Sequence, residues 1–185
     1  MEEATRRLTD LIVADRGAMA ILRTVRSLDL NDWAIGAGFV RNRVWDAVSR
    51  HDTQTVPGDT DVLYYDAADL RPETETMLET RLRAAMPDVP PWSVTNQARM
   101  HVENGDRPYA STADALWFWL ETPTCVAVRP ERDDTLTVLA PHGLDDLFGL
   151  RVRPTASGRT RIEAYRARIQ AKNWPARWPG VSIEM

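Results

Sequence analysis

The sequence predicts an α/β domain in which a mixed β-sheet carries flanking helices. Apolar runs of strand length alternate with longer segments whose apolar residues recur at helical spacing. The pattern is densest over residues 35–66, IGAGFVRNRVWDAVSRHDTQTVPGDTDVLYYD. There a glycine-rich turn leads into a helix, and an Asp-x-Asp turn leads into a strand. A hairpin and a C-terminal helix extend the predicted sheet.

Length and composition are those of an ordinary globular domain. The chain has 185 residues, of which 43% are hydrophobic and 27% charged, which is enough for a hydrophobic core. We expect one domain over residues 1–185, with a core at about 16–110 and a C-terminal extension at about 111–185.

Charge and cysteine content narrow the functional classes. The net charge of −4 argues against nucleic-acid binding over the whole surface but allows a local basic site. Cys125 is the one cysteine, so no internal disulfide forms. The opening MEEATRRLTD lacks a signal-peptide core, and no apolar run is long enough to span a bilayer. We therefore expect a cytoplasmic protein with no membrane partner, and the oligomeric state stays open.

Three helices and a strand are predicted in the first third of the chain. Residues 2–30 are helical, with Asp15 capping a second helix. Residues 39–50 form a helix after the glycine turn, and the polar segment 51–58 links it to a strand at 61–65.

The alternation continues to the C-terminus. Pro72 suits the first turn of a helix over 72–86, and a strand covers 92–98. Ser111, with Asp114 three residues on, predicts the start of a helix. Later elements are a hairpin of strands 124–129 and 135–140, a short helix from Asp145, a helix over 159–172 and an end, NWPARWPG, that folds back over the core.

The turn Gly36-Ala37-Gly38 is a predicted phosphate-binding site. Glycine between strand and helix permits positive φ and close approach of a ligand, and the first N–H groups of a helix attract anions. Arg41 and Arg43 follow in the first turn of the helix, where the helix dipole disfavours cations. A bound polyphosphate would explain both arginines. The alternative, that arginine is simply common in this chain, carries equal weight.

Asp59 and Asp61 form a predicted Mg²⁺ site. Residues i and i+2 of a strand point to the same face, so the two carboxylates converge at the strand entrance. Mg²⁺ is usually held by one or two carboxylates together with waters and substrate phosphates. From the residues alone, an acidic turn entering a strand is the stronger interpretation.

Two later regions hold further polar candidates. Arg99 suits bidentate phosphate binding. His101 has the side chain of a general base, although a lone histidine at a strand end is more often structural. Glu121 is an acid that either reaches the site or, as we expect, lies exposed in a loop.

Basic residues accumulate towards the C-terminus, from Arg151 to Arg177. One interpretation is a basic face for a nucleotide tail, an RNA or an acidic partner. We favour the other, a solvated helix at 159–172 whose apolar stripe packs inward. The basic residues are Arg151, Arg153, Arg159, Arg161, Arg166, Arg168, Lys172 and Arg177.

The glycine turn followed by an acidic-x-acidic strand resembles the nucleotidyltransferase superfamily that includes DNA polymerase beta. More specifically, the chain is similar to a bacterial family of nucleotidyltransferase-like proteins of unresolved substrate. The matching segments are GAGFVRNRVWD (36–46), DTDVLYYD (59–66), NQARMH (96–101), NGDRPYAS (104–111), APHGLDDLF (140–148) and KNWPARWP (172–179).

This resemblance implies a nucleotidyltransferase-type mixed sheet, an NTP substrate and Mg²⁺ or Mn²⁺. It implies that Asp59 and Asp61 are catalytic metal ligands. Superfamily enzymes usually carry a third carboxylate on a later strand, and Asn96 occupies the comparable position here, so it completes the predicted catalytic set. The implied phosphate-binding residues are Gly36, Ala37, Gly38, Arg41, Arg43 and Arg99.

Three functions remain open from the sequence. The first is transfer of a nucleoside monophosphate from an NTP to a hydroxyl of a small molecule, RNA or protein. Because the third carboxylate is missing, the second is a nucleotide-binding regulatory protein with little or no turnover. The third, suggested by the arginine-rich end, is a partner-bound component of an RNA or toxin–antitoxin system.

Overall fold

A mixed β-sheet forms the centre of the computed structural model, which describes residues 2–185. Within these residues the sheet has five strands in the order β3-β2-β1-β4-β5. The strands are β1 Ala34–Gly36, β2 Thr60–Tyr64, β3 Trp92–Asn96, β4 Ala127–Pro130 and β5 Leu136–Leu139. β2 and β3 are parallel, whereas β1 is antiparallel to both β2 and β4, and β4 to β5. The predicted fold class is confirmed.

Helices cover both faces of this sheet. In chain order they are α1 Glu2–Ala14, α2 Arg16–Arg26, α3 Gly38–Ser49, α4 Pro72–Ala85, α5 Gln97–Asn104, α6 Thr112–Trp117, α7 Asp145–Phe148, α8 Ala156–Thr160, α9 Ile162–Lys172 and α10 Trp174–Arg177. A short parallel pair, β6 Arg151–Val152 and β7 Ser182–Ile183, lies apart from the main sheet. No helix within residues 2–185 is long and apolar enough to cross a membrane.

The register of β2 and β3 decides which side chains share a face. Asp61 pairs with Ser93, and Leu63 with Thr95. Because side chains alternate along a strand, these residues lie on one face, here called the Asp61 face. Val62, Tyr64 and Val94 lie on the opposite face in the main hydrophobic core, while Leu63 belongs to a smaller apolar cluster.

The N-terminal helices follow the sequence prediction. The Asp15 carboxylate accepts a hydrogen bond from the Ala18 N–H at 2.9 Å, so Asp15 caps α2 as predicted. Leu8, Ile12 and Leu22 are buried at the helical spacing read from the sequence.

Three predicted element boundaries are wrong. The strand expected over 124–129 begins at Ala127, after a 3₁₀ helix over Thr122–Thr124. The strand expected over 92–98 ends at Asn96, and helix α5 starts at Gln97. The reason is local, because the Asn96 side chain accepts the Ala98 N–H and caps the helix. The single helix expected over 159–172 is two helices, separated at Arg161 by φ −105° and ψ 49°.

The tryptophan-rich C-terminal end folds back over the core, as the sequence predicts, and it packs there onto α3. Trp174 and Trp178 are buried, with ring centroids 5.8 and 5.0 Å from that of Trp45. The Trp178 indole donates to the Asp46 carboxylate at 2.8 Å. These contacts bring α9 and α10 to the same side of the molecule as the glycine turn.

Candidate functional site

A cavity of about 830 Å³ lies over the Asp61 face of the sheet. Its walls come from segments that are far apart in sequence. They are the turn into α3, the loop into β2, the C-terminal end of β3 with α5, residues 118–121, and α9 with α10. The position of every predicted site residue can therefore be described relative to this cavity.

The three residues of the glycine turn have different roles, one in strand packing and two in lining the cavity. Gly36 does not line the cavity, and a Cβ there would lie 3.0 Å from the Val126 carbonyl oxygen, so this position serves strand packing. Ala37 and Gly38 do line it. Ala37 has φ 50° and ψ −121°, a region that favours glycine. Gly38 opens α3, so the first N–H groups of that helix lie at the cavity wall.

Asp59 and Asp61 line the same cavity wall. Neither carboxylate forms a hydrogen bond or an ion pair within residues 2–185. Burial and the neighbouring Asp59 raise the pKa of Asp61 to about 6, while the cations Arg168, Lys172 and Arg41 oppose that rise. Two adjacent carboxylates without a direct partner are an unfavourable arrangement unless a cation joins them.

This pair fits a hard divalent cation with an incomplete protein shell. Among residues 2–185 no group of three or more His, Cys, Asp or Glu side chains is arranged to hold a metal ion. The two aspartates would therefore supply the protein ligands, leaving further positions for water and phosphate oxygens. This is the usual composition of a Mg²⁺ site in phosphoryl-transfer proteins.

Arg41 supplies a buried positive charge to the cavity. The residue is only 7% exposed, and its guanidinium lies against the rings of Trp174 and Trp45, 4.9 and 5.4 Å from their centroids. One Nη donates to the Asn42 side chain, but Nε is buried without a hydrogen-bond partner. Burial lowers the pKa of Arg41 to about 10. An anionic ligand would compensate this buried charge.

The other two predicted phosphate-binding arginines lie elsewhere. Arg43 donates to the Asp15 carboxylate at 2.8 Å and to the Phe39 carbonyl at 2.7 Å. Arg99 forms a bidentate ion pair with Glu75, with N–O distances of 2.9 and 2.5 Å, and a second pair with Glu103. The sequence could not separate these roles because Asp15 and Glu75, the main partners of the two arginines, are distant along the chain.

Asn96 also lies away from the cavity, on the opposite face of β3. Its side chain is 1% exposed and fully engaged with backbone. The oxygen accepts from the N–H groups of Asp66 and Ala98, and the nitrogen donates to the carbonyls of Asp66 and Asp69. The structure brings Asp59, Asp61 and Arg41 together but does not bring Asn96 to them.

Glu121 is the buried carboxylate that sequence reasoning misplaced. The sequence favours an exposed loop position for this residue, whereas the structure shows it 1% exposed and lining the cavity. Its Oε1 accepts from Arg168 Nε at 2.6 Å and from the Thr124 hydroxyl at 2.9 Å, while Oε2 is buried without a partner. Glu121 precedes β4, which pairs with β1, so it reaches the site from the side of the sheet opposite β3.

The sequence favours a solvated basic helix at 159–172, and this prediction is only partly correct. Arg166 faces solvent and pairs with Glu163. Arg161, Arg168 and Lys172 line the cavity instead. Arg168 and Lys172 lie four residues apart, about one helical turn, so both project from the same side of α9.

The site combines a helix N-terminus, a pair of aspartates without direct partners and a buried guanidinium around one cavity. Together with the mixed sheet, this combination has the chemistry that binding of a polyphosphate compound requires. The chain belongs to the nucleotidyltransferase family, whose model matches residues 23–183.

Solved structures agree with this assignment. A structure described as revealing a CCA-adding enzyme head domain is 30% identical, with a TM-score of 0.83 over 97% of this chain and 95% of that one. A CCA-adding enzyme in complex with CTP is 15% identical, with a TM-score of 0.60 over 96% of this chain. A tRNA-processing enzyme in an apo form is 16% identical, with a TM-score of 0.54 over 89% of this chain.

The last two likenesses concern the fold alone. This chain covers 43% of the CTP-bound enzyme and 44% of the apo tRNA-processing enzyme, less than half of either. Among curated proteins there is no significant match.

Proposed function

We propose that the protein transfers a nucleoside monophosphate from an NTP to a hydroxyl group. The acceptor oxygen attacks the α-phosphorus, the bond from that phosphorus to the β-phosphate bridging oxygen breaks, and pyrophosphate leaves. The hydroxyl proton passes to solvent. Membership of the nucleotidyltransferase family supports NTP-dependent transfer in general; the acceptor, a small molecule, an RNA or a protein, belongs to this proposal.

One observation carries the proposal. Asp61 and Arg41, each without an ion-pair partner within residues 2–185, line the same cavity. Burying either charge without a counter-ion costs free energy. The arrangement suits a ligand that brings both anionic phosphates and a divalent cation, which is the composition of a metal–NTP complex.

Asp59 and Asp61 would hold Mg²⁺ or Mn²⁺, which would neutralise charge on the triphosphate and polarise its oxygens. The triphosphate would lie against the N-terminus of α3, where Ala37 and Gly38 leave the backbone accessible. Arg41 and the terminal nitrogens of Arg168 would donate to phosphate oxygens. Lys172, which forms no ion pair within residues 2–185, would add a mobile positive charge.

The small number of metal ligands favours a second candidate function. The protein offers the metal two aspartates and no arranged third ligand among residues 2–185. A nucleotide-binding regulatory protein of the same fold, with slow or absent turnover, is compatible with that set.

Incubation of the protein with each α-labelled NTP and cell extract separates the two functions. A labelled product that requires divalent metal, and that disappears in Asp61→Asn, is the result expected for the transferase. The matched control is Asp88→Asn, because Asp88 is exposed and does not line the cavity. Tight NTP binding without product in any extract would overturn the transferase in favour of the nucleotide-binding protein.

A further inference from the structure

The cavity has two chemically different ends, joined by α9. Arg168 and Lys172, in the last part of α9, lie near Asp61 and oppose the rise in the pKa of its carboxyl group. Arg161 precedes α9 and lies at the other end of the cavity. It donates there to the Phe118 carbonyl at 2.6 Å and to the Asn104 carbonyl at 3.4 Å. The 11 residues of α9 rise by about 1.5 Å each, which separates the ends by about 16 Å.

The end near Arg161 carries amide groups and apolar surface. Gln97 is 3% exposed and lines the cavity. Its Nε2 donates to the Thr95 carbonyl at 3.2 Å, which fixes the orientation of the amide. The oxygen of that amide and its second N–H form no hydrogen bond within residues 2–185, so both are available to a ligand. Asn104, Met100 and Phe118 line the same end.

Charges at this end are already neutralised. Arg161 is occupied by two carbonyls and lies 3.7 Å from Asp106. Glu103 pairs with Arg99 at 2.8 Å. The Phe118 ring is held in place by Tyr109, 5.2 Å between centroids, and by the Arg107 guanidinium, 4.8 Å from the ring centroid. A ligand therefore meets neutral hydrogen-bonding groups and a fixed aromatic surface.

We propose that this end binds the nucleobase of the NTP, with Gln97 hydrogen-bonding the base edge and Phe118 and Met100 supplying apolar contact. The inference rests on the proposed function and extends it by naming the base subsite. Every nucleobase presents adjacent donor and acceptor groups on a flat ring, which matches an oriented amide beside an aromatic surface. A polyanionic acceptor would find no unpaired cation here among the described residues.

Calorimetric titration of NTPs and of inorganic tripolyphosphate, both with Mg²⁺, tests the subsite. Tripolyphosphate has no base, so Gln97→Leu should leave its affinity unchanged. The same variant should weaken the best-bound NTP by about tenfold to a hundredfold, because a bidentate contact to a base is lost. Gln170→Leu is the matched control, since Gln170 is exposed on α9 and does not line the cavity.

Each outcome decides a different point. An unchanged ratio of NTP to tripolyphosphate affinity in Gln97→Leu would overturn the base subsite, and if product formation nevertheless fell, this end would hold the acceptor. Equal loss of both ligands would also overturn it. Absence of NTP and tripolyphosphate binding in the native protein would remove the proposed function itself. If Gln97→Leu does not fold, Asn104→Ala is assayed with the same two ligands.

Discussion

At the scale of single residues, Ala37 has a backbone conformation that alanine rarely adopts. Its φ of 50° and ψ of −121° place it where a Cβ is strained. The conformation is maintained at both sides, since Ala37 N donates to the Val126 carbonyl and Ala37 O accepts from Arg41 N. The strain lies in the turn that we propose binds phosphate.

Ala37→Gly should stabilise the fold by about 1 kcal/mol. The substitution removes a steric penalty of about 1–2 kcal/mol from the folded state, and the larger conformational entropy of glycine in the unfolded chain offsets part of that gain. Urea denaturation measures the change. Ala167→Gly, at an exposed position within α9, should instead destabilise by about 1 kcal/mol. Equal destabilisation by both substitutions would show that position 37 is not strained.

Arg41 and Arg43 lie two residues apart but have different surroundings. Arg41→Met should reduce NTP affinity by roughly tenfold to a hundredfold, the typical value of a charged hydrogen bond. Arg43→Met should leave NTP affinity unchanged and lower stability by about 1 kcal/mol, because Asp15 loses its ion-pair partner. Titration and denaturation of both variants check this. The reverse pattern would move the phosphate site to the other side of α3.

At the scale of elements, Asn96 connects β3, α5 and the loop after β2. Asn96→Ala should destabilise by about 2–3 kcal/mol, because a helix cap and buried hydrogen bonds to Asp66 and Asp69 are lost together. NTP affinity measured below the unfolding transition should not change. A variant of native stability that has lost activity would instead assign Asn96 to catalysis.

Helix α9 presents charge to the cavity on one side and to solvent on the other. Lys172→Gln should weaken NTP binding and reduce its salt dependence, because one cation near the phosphates is removed. Arg166→Gln removes the same charge from the solvent side and should change neither quantity. Titrations at two salt concentrations compare the variants, and identical effects would mean that the helix acts only through net charge.

At the scale of the whole molecule, local signals predicted the fold, and five of the predicted site residues line one cavity, namely Ala37, Gly38, Arg41, Asp59 and Asp61. The turn before α3, the Asp-x-Asp entrance to β2 and the cap at Asp15 are each encoded within a few residues. The face of Asn96 was not predictable, because it depends on the register between β2 and β3 and on where α5 begins. Glu121 and Arg168 reach the cavity only through tertiary packing, and nothing in one sequence links them to residue 61.

The central claim is that Asp59 and Asp61 bind the metal that accompanies an NTP in this cavity. Calorimetric titration of the four NTPs, with and without Mg²⁺, into native protein and into Asp59→Asn/Asp61→Asn tests it most directly. Mg²⁺-dependent binding should appear in the native protein, disappear in the double variant and persist in Asp88→Asn. The double variant should stay folded, since it removes two neighbouring carboxylates that lack direct partners. Equal binding by the double variant, or no binding of any NTP by the native protein, would show that these aspartates do not hold the metal of an NTP complex.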